Sequence, residues 1–151
     1  MIKDVQIKEL KVIPDERGRL GEILRADWPE FQNFAQCYFT TNYPGAIKAW
    51  HKHKSQDDFV TCVSGMIKLV MCDKREGSKT FGEVQEVFLG VHSPKLVRIP
   101  AGVYHGWKCI SESESVVVNL PTKMYDYKNP DEDRLPYNTS EIDYNWEIKH
   151  G

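Results

Sequence analysis

The sequence predicts an all-β protein, a barrel or sandwich of antiparallel strands, on three observations. Short apolar runs recur through the middle of the chain, separated by turn residues at intervals of roughly ten residues. Two of these runs, 59–63 (FVTCV) and 66–72 (MIKLVMC), are joined by Ser64-Gly65, a hairpin signal. Helix-like spacing is confined to 29–34 (PEFQNF).

Taken in chain order, 5–10 (VQIKEL) alternates as an edge strand does and predicts pairing with a second copy, hence a homodimer. A short helix is expected at 29–34 and a strand at 36–41 (QCYFTT). After the hairpin, 84–89, 95–99 and 115–120 (SVVVNL) are further strands. The tail from Asp126 onward is polar and aromatic and carries Pro130 and Pro136. It reads as an extended arm closed by a short helix or turn.

The 151 residues suit one domain spanning 1–151, long enough for a hydrophobic core. A net charge of -2 gives no reason to expect nucleic acid as a partner. No apolar run approaches the ~20 residues of a membrane helix, so no membrane partner is expected. The N-terminus has no signal-peptide pattern, which points to the cytoplasm. The four cysteines, Cys37, Cys62, Cys72 and Cys109, show no C-x-x-C spacing and read as reduced, buried hydrophobes.

The chemistry concentrates in two segments. His51 and His53, at i and i+2, share one face of a strand, so both imidazoles can enter one cavity. Lys52 and Lys54 alternate with them and point to the other face. Asp58 can enter from the next strand. Pro100 and Gly102 set a tight turn that delivers His105 onto a strand. Two histidines in one concavity favour function. Trp50 and Trp107 read as core, His92 and His150 as surface.

Gly45, His51, His53, Asp58 and Gly65, followed by Pro100, Gly102 and His105, resemble the two motifs of the cupin superfamily. The resemblance implies a cupin-type double-stranded β-helix, a jelly-roll barrel. In metal-binding cupins these positions hold a divalent ion, which would be His51, His53, Asp58 and His105 here. Further segments narrow the likeness. Asp15-Glu16-Arg17-Gly18-Arg19-Leu20-Gly21-Glu22, Asp73 to Gly82 (DKREGSKTFG), Ile99 to Trp107 and Tyr137 to Trp146 resemble, in order, motifs of dTDP-4-dehydrorhamnose 3,5-epimerases.

That resemblance implies an isomerase acting on a nucleotide-linked 4-keto-6-deoxy sugar, without metal or other cofactor. It implies His51 as the base that removes the proton next to the keto group. His53 or Tyr125 becomes the second proton carrier. Arg17, Glu22, Lys48, Tyr38, His105 and Asn119 are the expected substrate contacts, with Arg17 and Lys48 clamping the diphosphate. The family's acidic tyrosine falls on Val118 or Asn119, and two of its inner aspartates fall on Thr139 and Leu69. His51-Lys52-His53-Lys54 also resembles the H-A-H-K of sugar 3,4-ketoisomerases. A metal-binding cupin is the third reading.

Overall fold

Twelve β-strands and no helix make up residues 1–150, the part of the chain that the computed structural model describes. They are β1 (Gln6–Glu9), β2 (Val12–Asp15), β3 (Gly18–Gly21), β4 (Tyr38–Asn42), β5 (Ile47–Lys52) and β6 (Asp58–Ser64). Then come β7 (Met66–Asp73), β8 (Val84–Gly90), β9 (Lys95–Ile99), β10 (Val103–Cys109), β11 (Ser115–Asn119) and β12 (Asp133–Arg134). Two five-stranded sheets form the barrel, in the orders β1-β9-β6-β11-β4 and β12-β5-β10-β7-β8. Every pairing is antiparallel, and β2–β3 is a separate exposed hairpin. This is the jelly roll that the motifs imply.

Alternation along the strands fills the interior. Val60 and Cys62 of β6, Ile67, Leu69 and Met71 of β7, Val87 and Leu89 of β8, Val97 and Ile99 of β9 and Val117 of β11 form one buried cluster. Each such side chain contributes roughly 1.5–3 kcal/mol by leaving water. A second cluster forms outside the barrel. Ile142 and Trp146 of the tail pack on Trp50, Val70, Cys72 and Tyr104, so the tail is fastened across β5, β10 and β7. Among the described residues the tail contains no helix, and its short strand β12 pairs with β5, Asp133 opposite Lys52 and Arg134 opposite His51.

The helix expected at 29–34 does not form. Two turns lead into the segment, with the Trp28 and Phe31 amides bonded to the Arg25 and Trp28 carbonyls at 3.2 and 3.0 Å, and 31–34 run on without regular structure. Six residues are too few to repay helix nucleation, and the Ala35 amide is captured by the Pro121 carbonyl at 2.9 Å, which draws the chain toward β11. Of the cysteines, Cys62, Cys72 and Cys109 are buried as expected, whereas Cys37 is exposed just before β4; all four are free thiols. No helix among the described residues is long and apolar enough to cross a membrane. β1 pairs on one side only, so its outer edge is open, as the alternation at 5–10 predicts.

The second expected motif, Asp73 to Gly82, serves the fold. Asp73 is buried and accepts from Arg75 (Nε 3.0 Å, Nη2 2.9 Å), Ser78 (2.6 Å) and Thr80 (2.6 Å), knotting the β7–β8 turn. Arg75 also donates to the Lys3 carbonyl at 2.7 Å, tying the N-terminal segment to that turn.

Candidate active site

Three histidines meet because β5 and β10 are neighbours. His51 and His105 are register partners across that pair, and their rings lie with centroids 4.0 Å apart. Gly106 permits the approach, since a Cβ there would overlap Ala49, whose Cα would sit at 2.7 Å. His53, just past the end of β5, has its ring centroid 5.9 Å from that of His51. The turn between β9 and β10 is tied to it, since the Gly102 amide donates to the His53 carbonyl at 2.7 Å. The peptide between Ala49 and Trp50, immediately before His51, is cis.

Asp58 comes from the facing sheet, at the start of β6, and is 1% exposed. Its Oδ2 lies 3.4 Å from His53 Nε2 and 3.3 Å from His105 Nε2. Its Oδ1 accepts from Gln56 Nε2 and Asn119 Nδ2, each at 2.9 Å. Burial works against its charge. The hydrogen bond and charge of His105, the charge of His53 and the Asn119 amide outweigh that, and the carboxyl is held below its ordinary value. The position implied for a family aspartate at Leu69 is a core side chain, and Thr139 in the tail accepts from the Glu141 amide. Asp58 is the carboxylate that the cluster has.

The other ring nitrogens are also held. His53 Nδ1 meets the Asp131 carbonyl, and His105 Nδ1 lies 3.1 Å from the Val103 carbonyl. Each of these rings thus has its Nδ1 on a backbone carbonyl and its Nε2 turned toward the Asp58 carboxylate, with no hydrogen bond made by His105 Nε2 among the described residues. His51 differs. Its ring has no hydrogen-bond partner among the described residues, and it lines two adjoining cavities of about 480 and 440 Å3. Burial first, then the charge of His105, push its imidazole well below its ordinary value, against the pull of Asp58. A neutral imidazole with free nitrogens on a cavity wall is equipped to take a proton from a bound molecule.

Tyr38, Glu132 and Arg134 line both cavities with His51; Lys48, Thr40 and Trp107 line one, and His53, Tyr125 and Tyr127 the other. Lys48 Nζ donates to Thr40 Oγ1 at 2.6 Å and to the Thr41 carbonyl at 2.7 Å. Tyr125 packs edge-on against Tyr127, centroids 5.0 Å apart. Four expected substrate contacts are elsewhere. Arg17 sits on the β2–β3 turn, ion-paired to Asp15 at 2.7 Å, and Glu22 pairs with Arg25 at 2.6 Å; both belong to the exposed arm, which lines neither cavity. His105 and Asn119 are 2% and 1% exposed, behind the wall rather than on it. Arg134 and Glu132 are the functional candidates that the sequence reading missed, and no local pattern marks them.

Nearest donor atoms of His51, His53 and Asp58 all lie within 4.8 Å of one another, the spacing of a metal site. Asp58 Oδ1 is engaged by Gln56 and Asn119, and His53 Nδ1 by the Asp131 carbonyl. Asp58 Oδ2, His53 Nε2 and a nitrogen of His51 are the atoms that would hold an ion, a donor set of the kind a first-row divalent metal takes.

A jelly roll with one neutral, unpartnered imidazole at a cavity ringed by Lys48, Arg134 and tyrosines is a frame for proton transfer on an anionic substrate. Comparison with known proteins agrees. The family model described as dTDP-4-dehydrorhamnose 3,5-epimerase matches residues 1–150. The chain is 40% identical to the probable low-salt glycan biosynthesis epimerase Agl13 of Haloferax volcanii, over 99% of this chain and 98% of that one. It is 37% identical to the spore coat polysaccharide biosynthesis protein SpsL of Bacillus subtilis, over 97% of each. The crystal structure of a dTDP-sugar isomerase from Desulfovibrio desulfuricans superposes with a TM-score of 0.91 at 30% identity, over 96% of this chain and 92% of that one. The chain belongs to the dTDP-4-dehydrorhamnose 3,5-epimerase family and is a carbohydrate epimerase.

Proposed function

We propose that the enzyme inverts a carbon next to the keto group of a nucleotide-diphosphate 4-keto-6-deoxyhexose, in assembly of a glycan or polysaccharide, with His51 as the base. The observation that carries this is the contrast among the three histidines. Of the three, His51 alone makes no hydrogen bond through either ring nitrogen among the described residues and lines both cavities, and it is held neutral by burial and by His105. The C–H proton passes to His51 and the electron pair moves onto the keto oxygen. Lys48 and Arg134, cations on the wall of the same cavity, hold the diphosphate. Tyr125 and Tyr127 offer aromatic faces to the rest of the nucleotide.

The working unit in this reading is a homodimer, supported by the open edge of β1 and by apolar side chains left bare on the arm, Ile13 at 51% and Leu20 at 61% exposed. Its place is the cytoplasm, in keeping with four free thiols. Light scattering is expected to give about twice the 17.5 kDa chain mass.

The decisive test is solvent exchange in D2O. With dTDP-4-keto-6-deoxyglucose or its UDP analogue, proton NMR is expected to show deuterium entering beside the keto group. His51→Ala is expected to slow that entry by ~10²–10⁴-fold while dTDP still binds. Exchange at the wild-type rate in His51→Ala refutes the base.

A further inference from the structure

Inversion needs a proton delivered to the face opposite the one from which it left, and a single imidazole on one wall does not supply it. The family's acidic tyrosine falls on Val118 or Asn119, and neither side chain can act as an acid. Tyr38 stands next to Asn119. The two are register partners on β4 and β11, so their side chains leave the same face of the sheet. Tyr38 lines both cavities that His51 lines, and it does so from the other sheet of the barrel.

Hydrogen-bond accounting fixes the direction of the phenol. An ionised carboxylate only accepts, so the Asn119 amide must turn its nitrogen to Asp58. That same nitrogen reaches the Tyr38 hydroxyl at 2.9 Å, so the phenol oxygen is the acceptor in that contact. Its own hydrogen is left free, and the hydroxyl makes no other hydrogen bond among the described residues. We propose that Tyr38 is the catalytic acid of this enzyme, donating its proton to the substrate carbon on the face opposite His51. This rests on the epimerase reading with His51 as base.

The step balances without a further reactant. The substrate C–H bond breaks, its proton goes to His51 and the enolate forms. The Tyr38 O–H bond then breaks, a new C–H bond forms on the other face and the ketone returns. The phenolate oxygen keeps the Asn119 N–H, a donor already in place when the charge develops. Exchange with solvent removes the His51 proton and restores that of Tyr38. Burial of the phenol, against the Asn119 bond, together with the Asp58 charge raises the Tyr38 value, so the group is protonated at neutral pH.

The test runs the D2O assay with both probes on wild type and Tyr38→Phe, following deuterium entry and stereochemical inversion separately. The substitution removes one oxygen from a half-exposed ring, and unchanged thermal midpoint and dTDP affinity check that the fold and pocket survive. In the wild type, inversion keeps pace with exchange. In Tyr38→Phe, exchange continues while inversion falls by about 10²-fold or more, the loss of a general acid. Inversion that still keeps pace with exchange overturns the proposal, as does loss of exchange together with inversion. Failure of the epimerase reading is recognised in the wild-type arm, where neither probe exchanges; that outcome sinks the proposal with it.

Discussion

His51 and His105 face each other across β5 and β10 with ring centroids 4.0 Å apart, and only one of them opens to the cavity. The buried ring is engaged by Asp58 and by the Val103 carbonyl, and its charge bears on the open one. The pair thus divides labour between a held imidazole and a free one.

The pH profile follows from this. His51 must be neutral to act, and burial, His105, His53 and Arg134 lower its value below the ordinary 6.5 while Asp58 pulls the other way. The acid limb of kcat/KM is expected well below 6.5, because protonation inactivates the base only there. His105→Gln removes the second-largest cause, so the limb is expected to move upward. A pH–rate series on the two proteins measures it, and an unmoved limb removes His105 from the account.

Asp58 governs the cluster from the other sheet. Asp58→Asn leaves two buried imidazoles beside a neutral amide and is expected to cost about 3–5 kcal/mol in denaturant unfolding, the range for breaking a buried pair. Because the folded carboxyl sits below its ordinary 3.8, its contribution is full above that value and is lost as pH falls below it. A free imidazole that takes the proton itself needs no ion, so chelators are expected to leave turnover unchanged. Loss of activity in EDTA, restored by a transition metal, refutes this.

Much of the site was legible from spacing. The i, i+2 histidines, Asp58 and the Pro100–Gly102 turn before His105 are local patterns, and strand alternation carries them into one interior. What sequence spacing could not supply is long-range pairing. Arg134 reaches the cavity because β12 pairs with β5, more than eighty residues earlier, and Leu135 exchanges backbone bonds with Trp50 at 2.9 and 3.0 Å. Arg17 carried a stronger motif and lies outside, on a hairpin whose direction no residue pattern encodes. Asn119 was legible as a departure, but its link to Tyr38 required the β4–β11 register.

The diphosphate assignment separates these arginines. Arg134→Ala and Lys48→Ala are each expected to raise KM roughly tenfold or more with little change in kcat, since a charge-assisted hydrogen bond is worth about 1.5–3 kcal/mol and is made equally in ground and transition states. Within one chain, the hydrogen bonds that Arg17 donates among the described residues all go to Asp15. A dimer that brings the arm of a second copy to the cavity gives Arg17→Ala the same KM signature; a monomeric site leaves it silent. Steady-state kinetics on the three variants decides.

The last prediction concerns the β7–β8 turn, where motif and function part. Asp73 lies in the fold as a buried acceptor for Arg75, Ser78 and Thr80. Burial opposes its charge, those donors outweigh it, and the carboxyl sits below the ordinary 3.8. Asp73→Ala takes the buried acceptor from Ser78 and Thr80 and leaves Arg75 only its bonds to Asp4 and the Lys3 carbonyl, at an expected cost of about 2–4 kcal/mol. A depressed folded value stabilises above the unfolded one, so the difference between wild type and variant is expected to be full at neutral pH and to shrink as pH falls below about 4. Because Asp73 lines neither cavity, the folded variant is expected to turn over at the wild-type rate at low temperature. Denaturant melts at several pH values, with kinetics on the same samples, check both halves. A stable variant with lost activity would place the DKREGSKTFG motif in the reaction after all.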